Sequence, residues 1–87
     1  MGGFTYYDEE MTKIQRAETD LYLQQQKLAD IKRRRLPYQR MALGKAIKRG
    51  EQQLQQQHQR EIERLKRMQV DTQAYIGRIQ NFLTHGK

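Results

Sequence analysis

The 87-residue sequence has no cysteine, no serine and a single proline, Pro37. Without cysteine the chain has no disulfide, no thiol nucleophile and no cysteine-based zinc site. Without serine it has no serine nucleophile, and no glycine-rich phosphate-binding loop is present either. The histidines and carboxylates remain as candidates for catalytic chemistry.

Those residues show no catalytic or metal-binding pattern. His58 and His85 are far apart, and neither has a set of further ligands at metal-binding spacing. Glu61 and Glu63 fall on different faces of a helix among basic neighbours, so they do not form an acid–base pair. We expect no metal, no cofactor and no enzymatic activity, and we interpret His58 as a residue of a helix-packing stripe.

Long apolar runs are also missing. No segment approaches the roughly 20 apolar residues of a transmembrane helix. The first ten residues lack the basic and then apolar regions of a secretory signal. We therefore expect a protein inside a cell, an organelle or a virus particle, and not one secreted by a classical signal.

The composition predicts long helices with little core. Apolar residues make up 36% of the chain and the mean hydropathy is −1.11, which is too little for a compact layered domain. The commonest residues include Gln, Leu, Lys, Arg, Glu and Ala, all good helix formers. We predict one elongated all-α unit over residues 1–87, with narrow apolar stripes and coiled-coil-type packing.

The first helix is predicted over about 6–35. Thr5 and the acidic residues 8–10 are typical of a helix N-terminus. Apolar residues then follow at helical spacing: Met11, Ile14, Ala17, Leu21, Leu28 and Ile31.

Leu36-Pro37 is the predicted break, because a residue before proline is biased away from helical geometry. The second helix then covers about 38–84, with a basic corner at 32–40. Two geometries fit: an antiparallel helical hairpin, which we favour slightly, or a kinked rod. Gly44 and Gly50 are further places where the chain can bend. Within the second helix, an interval of 11 residues predicts one nearly straight stripe of Leu43, Leu54, Leu65 and Ile76.

A break at Leu36-Pro37 makes the two arms unequal. The shorter first helix leaves the second uncovered from about Met68 onward, which is the most apolar part of the chain. Such an end needs a partner. We predict docking through Val70, Tyr75, Ile76, Ile79, Phe82 and Leu83. Phe4, Tyr6 and Tyr7 form either a hydrophobic staple on the first turn or a second docking site.

Positive charge is concentrated in the middle of the chain. Residues 31–50 contain eight basic and no acidic side chains, against a net charge of +7 for the whole chain. This cluster suits the phosphates of nucleic acid, with Tyr38 stacking on a base, or an acidic protein or lipid surface. It also suits a solvated face without a partner. The predicted anion-binding residues are Lys32, Arg33, Arg34, Arg35, Arg40, Lys45, Lys48 and Arg49.

Together these features predict a small structural or docking subunit of a larger macromolecular assembly. Its partners would be other protein subunits, in a homo- or hetero-oligomer. The alternative is a protein that binds RNA or packaged DNA without sequence specificity, because no nucleic-acid-reading motif is present.

Overall fold

The computed structural model describes residues 6–85, with side chains from residue 12 onward. This part of the chain is helical except at the junction of Gly50 and Glu51, and it contains no strand, which confirms the all-α class. The elements are α1 (Tyr6–Asp30), a π-helical turn (Ile31–Arg35), α2 (Leu36–Arg49) and α3 (Gln52–His85). The first three follow one another directly and form arm 1, residues 6–49. α3 is arm 2.

The two arms pack against each other and run in opposite directions. Next to the turn, Gln55 Nε2 donates a hydrogen bond of 3.3 Å to the Ala46 carbonyl. Far from it, the Tyr75 hydroxyl donates to the Asp20 carboxylate. The described chain is a rod of 68 × 27 × 17 Å. Its radius of gyration is 19.7 Å, whereas a compact domain of this length would have about 12 Å.

The predicted break at Leu36-Pro37 is wrong. Leu36 keeps helical dihedral angles, with φ of −64° and ψ of −48°, and Pro37 is the second residue of α2. Proline is tolerated in the first turn of a helix, where its missing N–H matters least. α2 begins directly after the π-helical turn. The Leu36 N–H bonds to the Ile31 carbonyl five residues back, as in a π-helix, so the regular α-helical pattern starts again at Leu36. One continuous arm therefore replaces the predicted helix boundaries at 35 and 38 and the predicted corner at 32–40.

The π-helical turn keeps one side of arm 1 directed at arm 2. Buried and half-buried residues recur at intervals of three and four up to Ile31, and the same intervals resume at Leu36. Between these two residues the interval is five, one residue more than the pattern allows. A π-helical turn absorbs one extra residue, so both halves of the arm face the same way. The inward residues are Ile14, Ala17, Leu21, Gln24, Leu28, Ile31, Leu36, Gln39, Leu43 and Ala46.

The chain reverses at Gly50, which has φ of 70° and ψ of 23°. The Gly50 N–H bonds to the Ile47 carbonyl at 3.1 Å and the Glu51 N–H to the Ala46 carbonyl at 3.0 Å. These two bonds form a Schellman motif, which ends a helix through a left-handed residue. The Glu51 carbonyl then accepts from the Gln55 N–H at 3.0 Å and opens α3.

Arm 2 shows the same alternation of threes and fours without interruption. Its inward residues are Gln55, His58, Ile62, Leu65, Gln69, Thr72, Ile76, Ile79 and Leu83. The predicted 11-residue stripe is wrong at Leu54, which is 40% exposed. We call the inward residues of both arms the seam. Their spacing is the one that coiled coils use.

The largest buried cluster lies beside the π-helical turn and consists of Ile31, Leu36, Ile62 and Leu65, with Leu43 and Met68 packed against it. Because the chain reverses at Gly50, arm 1 is longer than arm 2. The predicted uncovered end beyond Met68 is therefore wrong, and Ile76 and Ile79 are only 8% and 7% exposed.

Replacing Gly50 by alanine should lower the free energy of unfolding by about 1 kcal/mol, because L-residues other than glycine are strained at positive φ. A Cβ at Gly50 would meet no atom within 4 Å, so the cost is conformational. Gly44→Ala is the matched control. Gly44 also has open space around a Cβ but lies inside α2, where alanine should add about 0.5–1 kcal/mol. Urea unfolding followed by circular dichroism measures both, and equal effects would contradict this account of the turn.

A variant that lacks Arg34 and carries Pro37→Ala should have an unfolding free energy within about 1 kcal/mol of the parent. The deletion removes the extra residue, and Pro37→Ala removes the proline that resists a regular helix. Deleting Gln26 in the same Pro37→Ala background is the control. That deletion rotates the seam residues before it by about 100°, and we expect a loss of about 2 kcal/mol or more. Equal losses in both deletion variants, by urea unfolding, would show that the π-helical turn does not serve to keep the seam in phase.

Candidate docking surfaces

The residues predicted for docking do not form one surface. Phe4 and the side chains of Tyr6 and Tyr7 lie outside the described residues. Ile76 and Ile79 are buried in the seam, so the prediction that they dock a partner is wrong for the chain as folded. Leu83 is half-buried at the far end of the seam, near Ile14 and Leu21 of α1. Three residues remain exposed: Val70 at 64%, Tyr75 at 43% and Phe82 at 41%.

Tyr75 and Phe82 belong to a line of apolar side chains along one flank of the seam. The line also contains Leu54 and Met68, and its members are separated by multiples of seven residues. We call Leu54, Met68, Tyr75 and Phe82 the apolar ridge. Glu61 occupies the position between Leu54 and Met68 that would complete the series. Val70 lies about 140° around the helix from Tyr75 and is not part of the ridge.

The other flank of arm 2 is polar. The residues that follow the seam on that side are all exposed, and none of them is apolar: Gln59, Lys66, Gln73 and Gln80. The two flanks of arm 2 therefore differ in chemistry over the same length. A stripe that adds one apolar flank to the seam positions is typical of helices packed against more than one neighbour.

Tyr75 anchors the ridge to arm 1 through a hydrogen bond to Asp20. The Tyr75 hydroxyl donates to Asp20 Oδ2, and Gln24 Nε2 donates to Asp20 Oδ1 at 3.3 Å. The hydrogen bond to Asp20, and then the negative charge of that carboxylate, raise the pKa of Tyr75 above its usual value. Near the middle of the ridge, the Met68 sulfur lies 3.8 Å from Arg64 Nη1.

The basic residues lie along the outside of arm 1 and do not surround a corner. All eight side chains predicted to bind anions are exposed: Lys32, Arg33, Arg34, Arg35, Arg40, Lys45, Lys48 and Arg49. In the part of the chain that the structure describes, only Arg35 among them forms an ion pair, with Asp30 at 3.0 Å. These two residues are five apart, which is the neighbour spacing of a π-helical turn.

A shallow groove between the arms holds the inner edge of this basic segment. It is lined by Arg34, Arg35, Tyr38, Gln39, Glu61 and Leu65. Glu61 accepts bonds of 3.1 and 2.6 Å from Arg64, which lower the pKa of its carboxyl group; the charges of Arg64 and Arg35 add to this effect. A carboxylate held ionised in the groove disfavours phosphate there. The outer side of α2 has no acidic residue.

The seam contains a polar pair near the basic segment. His58 Nδ1 lies 2.7 Å from Gln39 Oε1 across the two arms. His58 is half-buried in the seam, where the sequence placed it. Between residues 6 and 85, no group of three or more potential metal ligands comes together, and no helix is long and apolar enough to cross a membrane.

Comparison with known proteins returned no match to a protein family, to a curated protein or to a solved structure. The functional interpretation therefore depends on the surfaces of this chain alone. The ridge was missed in the sequence, although the seven-residue intervals between Leu54, Met68, Tyr75 and Phe82 were a signal for it.

Alkaline titration should show Tyr75 ionising above pH 10, its ordinary value. The hydrogen bond to Asp20 needs a protonated phenol, so its contribution to stability is complete below about pH 10 and is lost as pH rises through the raised pKa. The difference in absorbance at 295 nm between the parent and Tyr75→Phe isolates this titration. Asp20→Asn should return the midpoint to about 10, and a parent midpoint at or below that value would contradict the bond.

Proposed function

We propose that the chain is a structural docking subunit of a larger macromolecular assembly, folded as an antiparallel helical hairpin with coiled-coil-type packing. The apolar ridge is the observation that carries this proposal. It replaces the uncovered helix end predicted from the sequence, because the structure leaves no such end. The ridge is where neighbouring protein subunits bind, and the basic outer side of arm 1 is where an acidic neighbour binds.

The thin core supports a need for partners. The buried apolar residues of the described chain are Ile31, Leu36, Ala46, Ile62, Leu65, Ile76 and Ile79. Several seam positions are polar, including Gln39, Gln55 and His58. A domain of this size with so little apolar burial is marginally stable alone. Covering the ridge with further helices would add apolar burial along most of arm 2.

A second candidate function is binding of RNA or DNA without sequence specificity. The observation that favours it is the uneven distribution of charge along the rod. Residues 32–66, at the turn end, contain eleven basic and three acidic side chains. Phosphate backbones are attracted to such a surface through charge alone. The exposed Tyr38, which lies among these cations, offers a stacking platform.

Substitution on the ridge tests the proposed docking function. Phe82→Asp should reduce incorporation of the tagged chain into its native high-mass complex at least about tenfold, because a charge on an apolar contact is costly to bury. Gln80→Asp is the matched control, since it adds the same charge two residues away on the polar flank. Size-exclusion chromatography of gently lysed source material, at low and at high salt, measures incorporation. Equal incorporation of both variants would overturn docking through the ridge.

Phe82→Asp, together with a variant of the basic segment, separates the second candidate. Fluorescence anisotropy with a labelled 30-nucleotide RNA and a DNA duplex gives the salt dependence of binding. If the chain binds nucleic acid, Arg33/Arg34/Arg35→Ala should lower the slope of log K against log salt by about two to three. Phe82→Asp should then leave nucleic-acid affinity nearly unchanged. Binding that the triple variant leaves unaltered would contradict the nucleic-acid function.

A further inference from the structure

We propose that the apolar ridge of one chain packs on the ridge of a second copy in antiparallel orientation, forming a four-helix dimer. This inference depends on the proposed docking function, and it identifies the occupant of the docking surface. Three properties of the described residues favour a second copy: the symmetry of the ridge, the distribution of charge along the rod, and the difference between the two flanks of arm 2.

The ridge is symmetric about Met68. Leu54 and Phe82 are each 14 residues from Met68, and Glu61 and Tyr75 are each 7 residues from it. A twofold axis through Met68 places Leu54 of one copy beside Phe82 of the second copy, and the two Met68 side chains beside each other. An isologous interface requires such self-complementarity. The paired ridges would extend about 42 Å along the dimer at 1.5 Å per residue.

Glu61 and Tyr75 also become neighbours in this arrangement. The Tyr75 hydroxyl is held by Asp20, and the Glu61 carboxylate by Arg64. Each polar group at these two positions thus has a partner within its own chain. The polar interruption of the ridge therefore leaves no unsatisfied polar group when the second copy covers it.

Charge selects the antiparallel orientation. The turn end of the rod, residues 32–66, has eleven basic and three acidic side chains. At the opposite end, the side chains that the structure describes, those of residues 12–31 and 67–85, include five basic and four acidic ones. A parallel dimer would place the two strongly basic ends together, whereas an antiparallel dimer places each basic end beside a nearly neutral one. At physiological salt, charges interact over about 8 Å, which is the scale of neighbouring helices.

The ridge is the apolar flank of arm 2, and the other flank of that arm is polar. Gln59, Lys66, Gln73 and Gln80 offer no apolar contact on that side of arm 2. A second copy that covered this flank would bury amide and ammonium groups without gaining apolar area. The two copies therefore meet through the ridge flank.

Single-cysteine variants test the dimer directly, because the chain has no cysteine of its own. Under mild oxidation, Met68→Cys alone should form a covalent dimer. An equimolar mixture of Leu54→Cys and Phe82→Cys should form mixed dimers, and each of these two variants alone should form few. Gln73→Cys, on the polar flank, is the matched control and should stay monomeric on denaturing gels. Disulfides need Cα atoms within about 7 Å, so they report the arrangement closely.

Sedimentation equilibrium of the cysteine-free chain supplies the second measurement. We expect a Kd of about 10 µM, so the chain should be largely dimeric at 100 µM protein, and Phe82→Asp should raise that Kd about 100-fold. Gln80→Asp should change it less than threefold. Circular dichroism of both variants distinguishes loss of the dimer from loss of the helices.

Other outcomes overturn the inference. A monomer at 100 µM rules out the second copy, and strong cross-linking of Leu54→Cys alone rules out the antiparallel orientation. Cross-linking of Met68→Cys only to a chain of different mass, in source material, also rules out self-pairing. In that last case the docking function stands, because the ridge is still where a partner binds. Loss of both self-pairing and the Phe82→Asp effect on incorporation would reject the docking function as well.

Discussion

Gly50 reverses the chain because its left-handed conformation allows the Schellman bonds that end α2, and the lengths of both arms follow from that position. Arm 1 becomes the longer arm, so arm 2 is covered along its whole length. Ile76 and Ile79 then lie in the seam, and three of the large apolar residues of arm 2 that remain exposed, Leu54, Tyr75 and Phe82, lie on one flank and not at an uncovered end. A reversal at Pro37 would have produced the opposite arrangement.

The position of the turn also determines where the basic side chains lie. With a reversal at Pro37 the cations would crowd around a corner and repel one another there. In the structure they are spread along α2 and the π-helical turn, exposed on the outer side of arm 1. The facing part of arm 2 contributes both Arg64 and the ionised Glu61. The result is a rod with one strongly basic end.

Helix content and the inward positions between Ile14 and Ile31 could be predicted from the sequence, because composition and helical spacing are local properties. The choice between Pro37 and Gly50 as the turn could not be settled by the proline rule alone. That rule describes a bias of the preceding residue, and one π-helical turn was enough to overcome it. Gly50 follows Lys48 and Arg49, the basic last turn that helices favour before a glycine, and this signal indicated the correct end. The five-residue interval from Ile31 to Leu36 was also visible in the sequence. It indicates a π-helical turn only if the helix is known to continue past Pro37.

The seam contains polar residues that hold the two arms in register. Gln39 and His58 bond to each other across the arms, and in the described residues no buried side-chain nitrogen or oxygen lacks a hydrogen-bond partner. Such polar contacts fix the register of two helices but add less stability than apolar ones. Register is thus determined within the chain, while much of the apolar burial available to arm 2 remains on the ridge. Helices that covered the ridge would therefore add apolar burial to an arrangement that the seam has already specified.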